Sequence, residues 1–191
     1  MTYLPDIEHE TLTYEHLFAS LDNEILIQDF EINKPAGQNL ARFLKELAPN
    51  NENMNADRTY LVKDKFYGDI AGFFALRNGL FVMRGANGEK YTIPSIELSN
   101  FAVNDRFRAN HPDFHNIGES IFNDFIIPLA KHIQTLTGVQ ALYIYALPEE
   151  RLLEHYSTFG FNRLSADDEK YIYDSVKPMY DEECIFMYQI L

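Results

Sequence analysis

The stretch from Thr92 to Leu147 constrains the fold most. It reads as a long strand (Thr92–Val103, TIPSIELSNFAV), a helix over 117–137 and a short apolar strand (141–147, ALYIYAL). Ile121, Phe125, Leu129, His132, Ile133 and Leu136 recur at helical spacing along one side of the middle piece. Such a strand–helix–strand unit implies an α+β or α/β mix, with the helix packed on a sheet. Pro128 lies inside the helical pattern, so a kink or break is expected near Ile127.

On the N-terminal side, 25–30 (ILIQDF) is a strand candidate. Pro35 opens a helix carrying Leu40, Phe43, Leu44 and Leu47, and Pro49 is expected to end it. Strands follow at 59–63, 70–76 and 80–83, with Asn78-Gly79 expected to make a tight hairpin turn. The polar stretches 49–57 (PNNENMNAD) and 84–90 (RGANGEK) read as loops within one domain. After Leu147 a helix is expected over 149–158, and FNRL, YIYD and CIFMYQIL read as strands. The front half should be mostly antiparallel, within a single domain spanning 1–191. Its first 20 residues form a peripheral acidic segment.

The 15 Phe and 12 Tyr supply a large core, which excludes a disordered chain. Cys184 is the one cysteine, so no disulfide framework exists and the residue reads as a small buried apolar group. No apolar run is long enough for a membrane span, and 1–33 lacks the basic start of a secretory signal; a cytoplasmic protein is expected. The net charge of -13 is located at the ends. Asp6, Glu8, Glu10, Glu15, Asp22, Glu24, Asp29 and Glu31 come before any base, and 165–191 is acidic as well, whereas 33–164 is neutral. This balance makes a nucleic-acid partner unexpected, since phosphates are neutralised by Lys and Arg.

One stretch carries a chemical mechanism. His115-Asn116-Ile117-Gly118-Glu119-Ser120 leads from a loop into the long helix. Gly118 has no Cβ, so backbone N–H groups there can approach a bulky anion, and Ser120 is small. The unpaired N–H groups and positive dipole end of a helix start suit a pyrophosphate. His111 and His115 are spaced four apart, but Pro112 lies between them and no further ligands accompany them, so no metal site is expected.

Downstream, the strand ALYIYAL is followed by a helix closing on HYSTFGF. Strand, anion-binding helix start, second strand and a helix ending in Y-x-x-x-G-F resembles the GNAT superfamily of acyl-CoA-dependent N-acyltransferases. HNIGES stands against that family's R/Q-x-x-G-x-G/A and HYSTFGF against its FYxxxGF; His115 and Ser120 depart from the pattern. The resemblance implies an α/β/α-layered, mixed but mostly antiparallel twisted sheet, with splayed central strands and helices on both faces. It implies acetyl-CoA as co-substrate, its pantetheine arm along the backbone of Phe101, Ala102 and Val103. His115, Asn116, Ile117, Gly118, Glu119 and Ser120 would hold the pyrophosphate, with Ser99 or Asn100 near the thioester. Tyr156 would protonate the departing thiolate, and Glu97 or an ordered water would take the proton of the amine. Arg106 and Arg108 are candidates for the 3′-phosphate. The implied reaction is acetyl transfer to a primary amine of a small molecule or peptide, by a monomer or homodimer without membrane attachment. Two alternatives stay open: a toxin-type member acting on aminoacyl-tRNA, which RTYLV…IP…FAV also resembles, and a non-catalytic CoA-binding or interaction module.

Overall fold

The computed structural model describes residues 4–85, 87–175 and 184–191. Seven strands are hydrogen-bonded in the order β1-β2-β3-β4-β5-β7-β6. They are β1 (Leu12–His16), β2 (Arg58–Asp64), β3 (Ile70–Arg84), β4 (Lys90–Val103), β5 (Ala141–Ala146), β6 (Asn162–Arg163) and β7 (Ile185–Ile190). The helices are α1 (Asn23–Leu26), α2 (Gln38–Arg42), α3 (Ala48–Asn53), α4 (Asp105–Asn110), α5 (Ile117–Ile121), α6 (Ile127–Thr137), α7 (Glu150–Thr158) and α8 (Ala166–Ser175). The chain divides into two compact units, one from 1–77 with 99–129 and one from 78–98 with 130–191.

In the first unit, β1 pairs antiparallel with β2 and β2 with β3. The start of the chain is therefore not peripheral: Leu12 and Tyr14 on β1 are buried. Leu17, Ile27, Phe30, Phe43, Leu44, Leu61, Phe73 and Ala102 build the core. The expected strand at 25–30 is instead α1 followed by a 3-10 turn over Ile27–Asp29. Helical spacing sends both Ile27 and Phe30 inward, whereas a strand would send residues three apart to opposite faces.

Pro49 does not end its helix, and Pro128 does not break the other. In each, a π-helical turn comes just before the proline. Ala48 N–H reaches Phe43 C=O and Ile127 N–H reaches Phe122 C=O, five residues back instead of four. The wider turn moves the carbonyl that would meet the proline ring, so the helix continues. As a result α2 runs through to α3, and α5 to α6.

The second unit holds Phe81, Tyr143, Ile172 and Phe186 at its centre. β5 pairs antiparallel with β7, and β7 with β6. Two expectations fail in this unit. YIYD lies in α8: Ser165 Oγ accepts from Asp168 N–H at 3.3 Å, and three acids occupy the first turn, a helix start that the apolar alternation masked.

Asn78-Gly79, the other exception, makes no turn; β3 passes straight through it to Arg84, and Gly85 N–H donates to Glu89 C=O at 2.8 Å. Gly79 serves close approach, because a Cβ there would stand 2.2 Å from the Tyr143 hydroxyl. Gly79→Ala should push that hydroxyl off Glu97, which it now meets at 2.9 Å. A lost buried hydrogen bond costs about 1 kcal/mol, so the urea midpoint should fall; an unchanged midpoint would show the close approach to be dispensable.

Candidate active site

In the first unit Gly72 on β3 lets the end of β4 and Ile121, the last residue of α5, come close. A Cβ on Gly72 would meet Ile121 Cδ1 at 2.5 Å and Ala102 C=O at 2.8 Å, so only glycine lets helix and strand come this close. Ala102 is buried and Phe101 and Val103 are half-buried, which matches alternation along a strand. The segment 104–114 is more ordered than a loop. Asn104 caps α4 by accepting from Arg106 N–H, and its amide donates to Ile70 C=O at 2.8 Å. Arg106 and Arg108 are paired with acids, Arg106 with Asp29 at 2.9 Å and Arg108 with Asp105 at 3.2 Å.

Asn116 opens α5 in the left-handed conformation (φ 56°, ψ 32°), and its side chain caps nothing. A left-handed residue followed by helical ones turns successive N–H groups into one concavity, a shape that receives anions. Among the described residues no acceptor within the chain is recorded for the N–H groups of Ile117, Gly118 and Glu119. The Ser120 N–H does not belong to this set: it is already bonded to Asn116 C=O at 3.0 Å, as the first turn of a helix requires. His115 is exposed. Gly118 has an ordinary helical backbone, and a Cβ there would touch only Val103 Cγ2, at 3.5 Å. Nothing in the polypeptide demands glycine at this position, although glycine weakens a helix.

In the second unit the parallel ladder between β4 and β5 pairs Ser95, Ile96 and Glu97 with Ala141, Leu142 and Tyr143. Both strands continue beyond it, to Val103 and Ala146. Glu97 stands in the last pair. It is buried, and its Oε2 accepts from Tyr143 Oη at 2.9 Å, a partner 46 positions away that no local pattern signals. Tyr156 lies on α7, half-buried, its ring edge-on to Phe159 and Phe161 with centroids 6.4 and 5.7 Å apart. Burial pushes its phenol up to about 12.

His111 stacks on Phe107 at 4.1 Å. Among the described residues no three His, Cys, Asp or Glu side chains gather in a way that would hold a metal ion, and no helix is long and apolar enough to cross a membrane. Cys184 is buried, as expected for a core residue.

No protein-family model matches the chain, and no curated protein matches it. Solved structures do. A Tyr-to-Phe variant of the AtaT toxin, bound to the C-terminus of the antitoxin AtaR and acetyl-CoA, aligns with 95% of this chain and 94% of its own at 18% identity, with a TM-score of 0.64. A Tyr-to-Phe variant of KacT aligns over 95% of each chain at 16% identity, TM-score 0.67. This is the GNAT fold. AtaT complexed with acetyl-methionyl-tRNAfMet matches as well, at 17% identity over 92% of this chain and 93% of that one, TM-score 0.61. The GNAT fold thus extends along nearly the whole chain and bears out the expected mixed, mostly antiparallel sheet.

Proposed function

We propose that the chain is an acetyl-CoA-dependent N-acetyltransferase that moves the acetyl group to a primary amine by direct attack. The observation that carries this reading is the helix start at Asn116–Glu119: a left-handed cap, N–H groups with no acceptor in the chain, and a glycine the fold itself does not need. A pyrophosphate fits such a cradle. The fold neighbours support the reading, since AtaT is bound to acetyl-CoA in one structure and to acetyl-methionyl-tRNAfMet in another.

Acetyl-CoA, when bound, supplies an activated acetyl group and a thiol leaving group. The residues of this chain do the rest. Ile117, Gly118 and Glu119 donate backbone N–H groups to the pyrophosphate, and the backbone of Phe101, Ala102 and Val103 on β4 holds the pantetheine arm. Ser99 or Asn100 would sit near the thioester. Tyr156 retains its proton across the physiological range, because its phenol is pushed up to about 12, and so can deliver it to the departing sulfur. Glu97, through an ordered water, takes the proton that the amine must lose. The enzyme is assigned to the cytoplasm, as a monomer or homodimer that needs no metal.

Gly118→Val tests the cradle. Valine is no worse than glycine in a helix, and the first carbon has room, so the fold should survive. Acetyl-CoA affinity should fall at least about tenfold, roughly 1.4 kcal/mol, in a calorimetric titration. Unchanged affinity would place the phosphates elsewhere.

Two acceptor classes merit a direct comparison. The net charge of -13 favours a cationic small molecule or peptide. The complex of AtaT with acetyl-methionyl-tRNAfMet favours the amino group of an aminoacyl-tRNA. Incubation with labelled acetyl-CoA and, in turn, spermidine, a lysine peptide and bulk aminoacyl-tRNA separates them. Labelled amide should form with stoichiometric thiol release on one class. Acetyl-CoA binding without thiol release on any would make the chain a CoA-binding module.

A further inference from the structure

A second buried carboxylate, outside the roles assigned above, lies against β4. Asp57, just before β2, is 3% exposed and is met from three directions. Asn51 Nδ2 donates to its Oδ2 at 2.7 Å, Ser99 Oγ donates to its Oδ1 at 2.8 Å, and Arg77 Nε stands 4.0 Å from Oδ1. The other inward neighbour of the Ser99 hydroxyl is Ala75 C=O, at 3.3 Å. A carboxylate and a carbonyl accept and cannot donate, so both hold the single hydroxyl proton on the inner side. Ser99 is half-buried, and its oxygen therefore presents lone pairs to whatever approaches it, as it does to Asn100 Nδ2 at 3.4 Å.

We propose that Asp57 is a positioning residue that fixes Ser99 as a hydrogen-bond acceptor, so that the site selects acceptors bringing an N–H over oxygen isosteres that bring none. This rests on the placement of Ser99 beside the thioester. The physical basis is that a site built around a committed acceptor rejects a ligand unable to donate, because the buried oxygen is then left unpaired. Burying a carboxylate is costly unless donors surround it, and here both neutral donors come from side chains whose own directions it fixes.

Asp57→Asn removes the nearer acceptor while keeping its shape. Asn51 needs an oxygen at the Oδ2 position, so the new amide turns its NH2 towards Ser99, and the Ser99 proton keeps only Ala75 C=O at 3.3 Å, from which it is free to turn outward. The probes are two CoA conjugates whose sulfur carries either –CH2–CO–NH–CH3 or –CH2–CO–O–CH3, which place an N–H or a bare oxygen at the acceptor position. Calorimetry on the full chain should find the amide conjugate bound at least about tenfold tighter than the ester by the wild type, no preference in Ser99→Ala, and a clearly reduced preference in Asp57→Asn. A merely structural role would weaken both probes alike and leave their ratio unchanged, and an unchanged ratio in Asp57→Asn would overturn the positioning role. Equal affinities in the wild type, or a preference retained in Ser99→Ala, would overturn the proposal. CoA itself serves as the control. Loss of CoA binding in the wild type would remove the cofactor reading together with the proposal, whereas CoA binding without discrimination would remove the proposal alone. Should Asp57→Asn not fold, Asn51→Ala takes its place: it removes the donor that orients Asp57 and should lower the amide preference, and an unchanged preference there would overturn the proposal.

Discussion

Replacing Glu52 with alanine is expected to lower the melting temperature by roughly 6–12 °C. Glu52 is 5% exposed and anchors the turn between α3 and β2. Its Oε2 lies 3.0 Å from both His16 Nε2 and Arg58 Nη1, and its Oε1 accepts the buried Thr59 N–H. Removing it leaves that N–H unsatisfied and takes the acceptor away from the Arg58 guanidinium and the His16 ring. Breaking a buried pair costs about 3–5 kcal/mol. Because Arg58 is 41% exposed and water can replace its partner, about 3 kcal/mol is the better figure. At about 2–4 °C per kcal/mol for a chain of this size, the shift follows. Glu52→Gln, which retains one acceptor for Thr59, should lose less. A melting temperature within about 2 °C of wild type for the alanine variant would mean that the cluster is a solvated surface group.

Tyr156→Phe should lower turnover roughly 10–100-fold while leaving acetyl-CoA affinity unchanged. General-acid help amounts to about 10²–10⁴-fold, and water replaces part of it. With the phenol at about 12, the wild-type residue stays protonated through pH 10, so the fold-loss should be constant between pH 6 and 10. Any alkaline limb of the rate in that window belongs to another group. Equal losses of affinity and rate would make Tyr156 a packing residue against Phe159 and Phe161, and full activity would remove it from the mechanism. The same burial has a stability consequence. Tyr60, also pushed up to about 12, and Tyr156 stay neutral in the fold above the pH where the unfolded chain ionises. The stability they contribute is present below about pH 10 and lost as pH rises towards 12.

What was legible in the sequence had a period. β4, the helix from Ile117 to Thr137 and β5 were readable because apolar spacing persists long enough to separate 2 from 3.6. That a helix starts within HNIGES was readable from the apolar spacing that follows it. The misreadings share a different origin. Gly79 looks like a hairpin glycine, yet its reason is the Tyr143 hydroxyl, 64 residues along the chain. Pro49 and Pro128 look like helix stops, yet each follows a phenylalanine by six positions and a widened turn absorbs it. Glu97 and Asp57 each owe their state to a partner more than forty residues away, Tyr143 and Ser99. Pairings of that kind are set by strand register, which no local pattern encodes. The N-terminal acids were legible as charge but not as structure: Glu15 meets Lys63 Nζ and Asp29 meets Arg106.

Thermal unfolding of the full chain with and without acetyl-CoA tests the central claim most directly. At about a hundred times Kd the ligand adds about 2.7 kcal/mol, and the melting temperature should rise by roughly 5–10 °C. No rise at millimolar acetyl-CoA would contradict the assignment of Asn116–Glu119 as the cradle of its pyrophosphate.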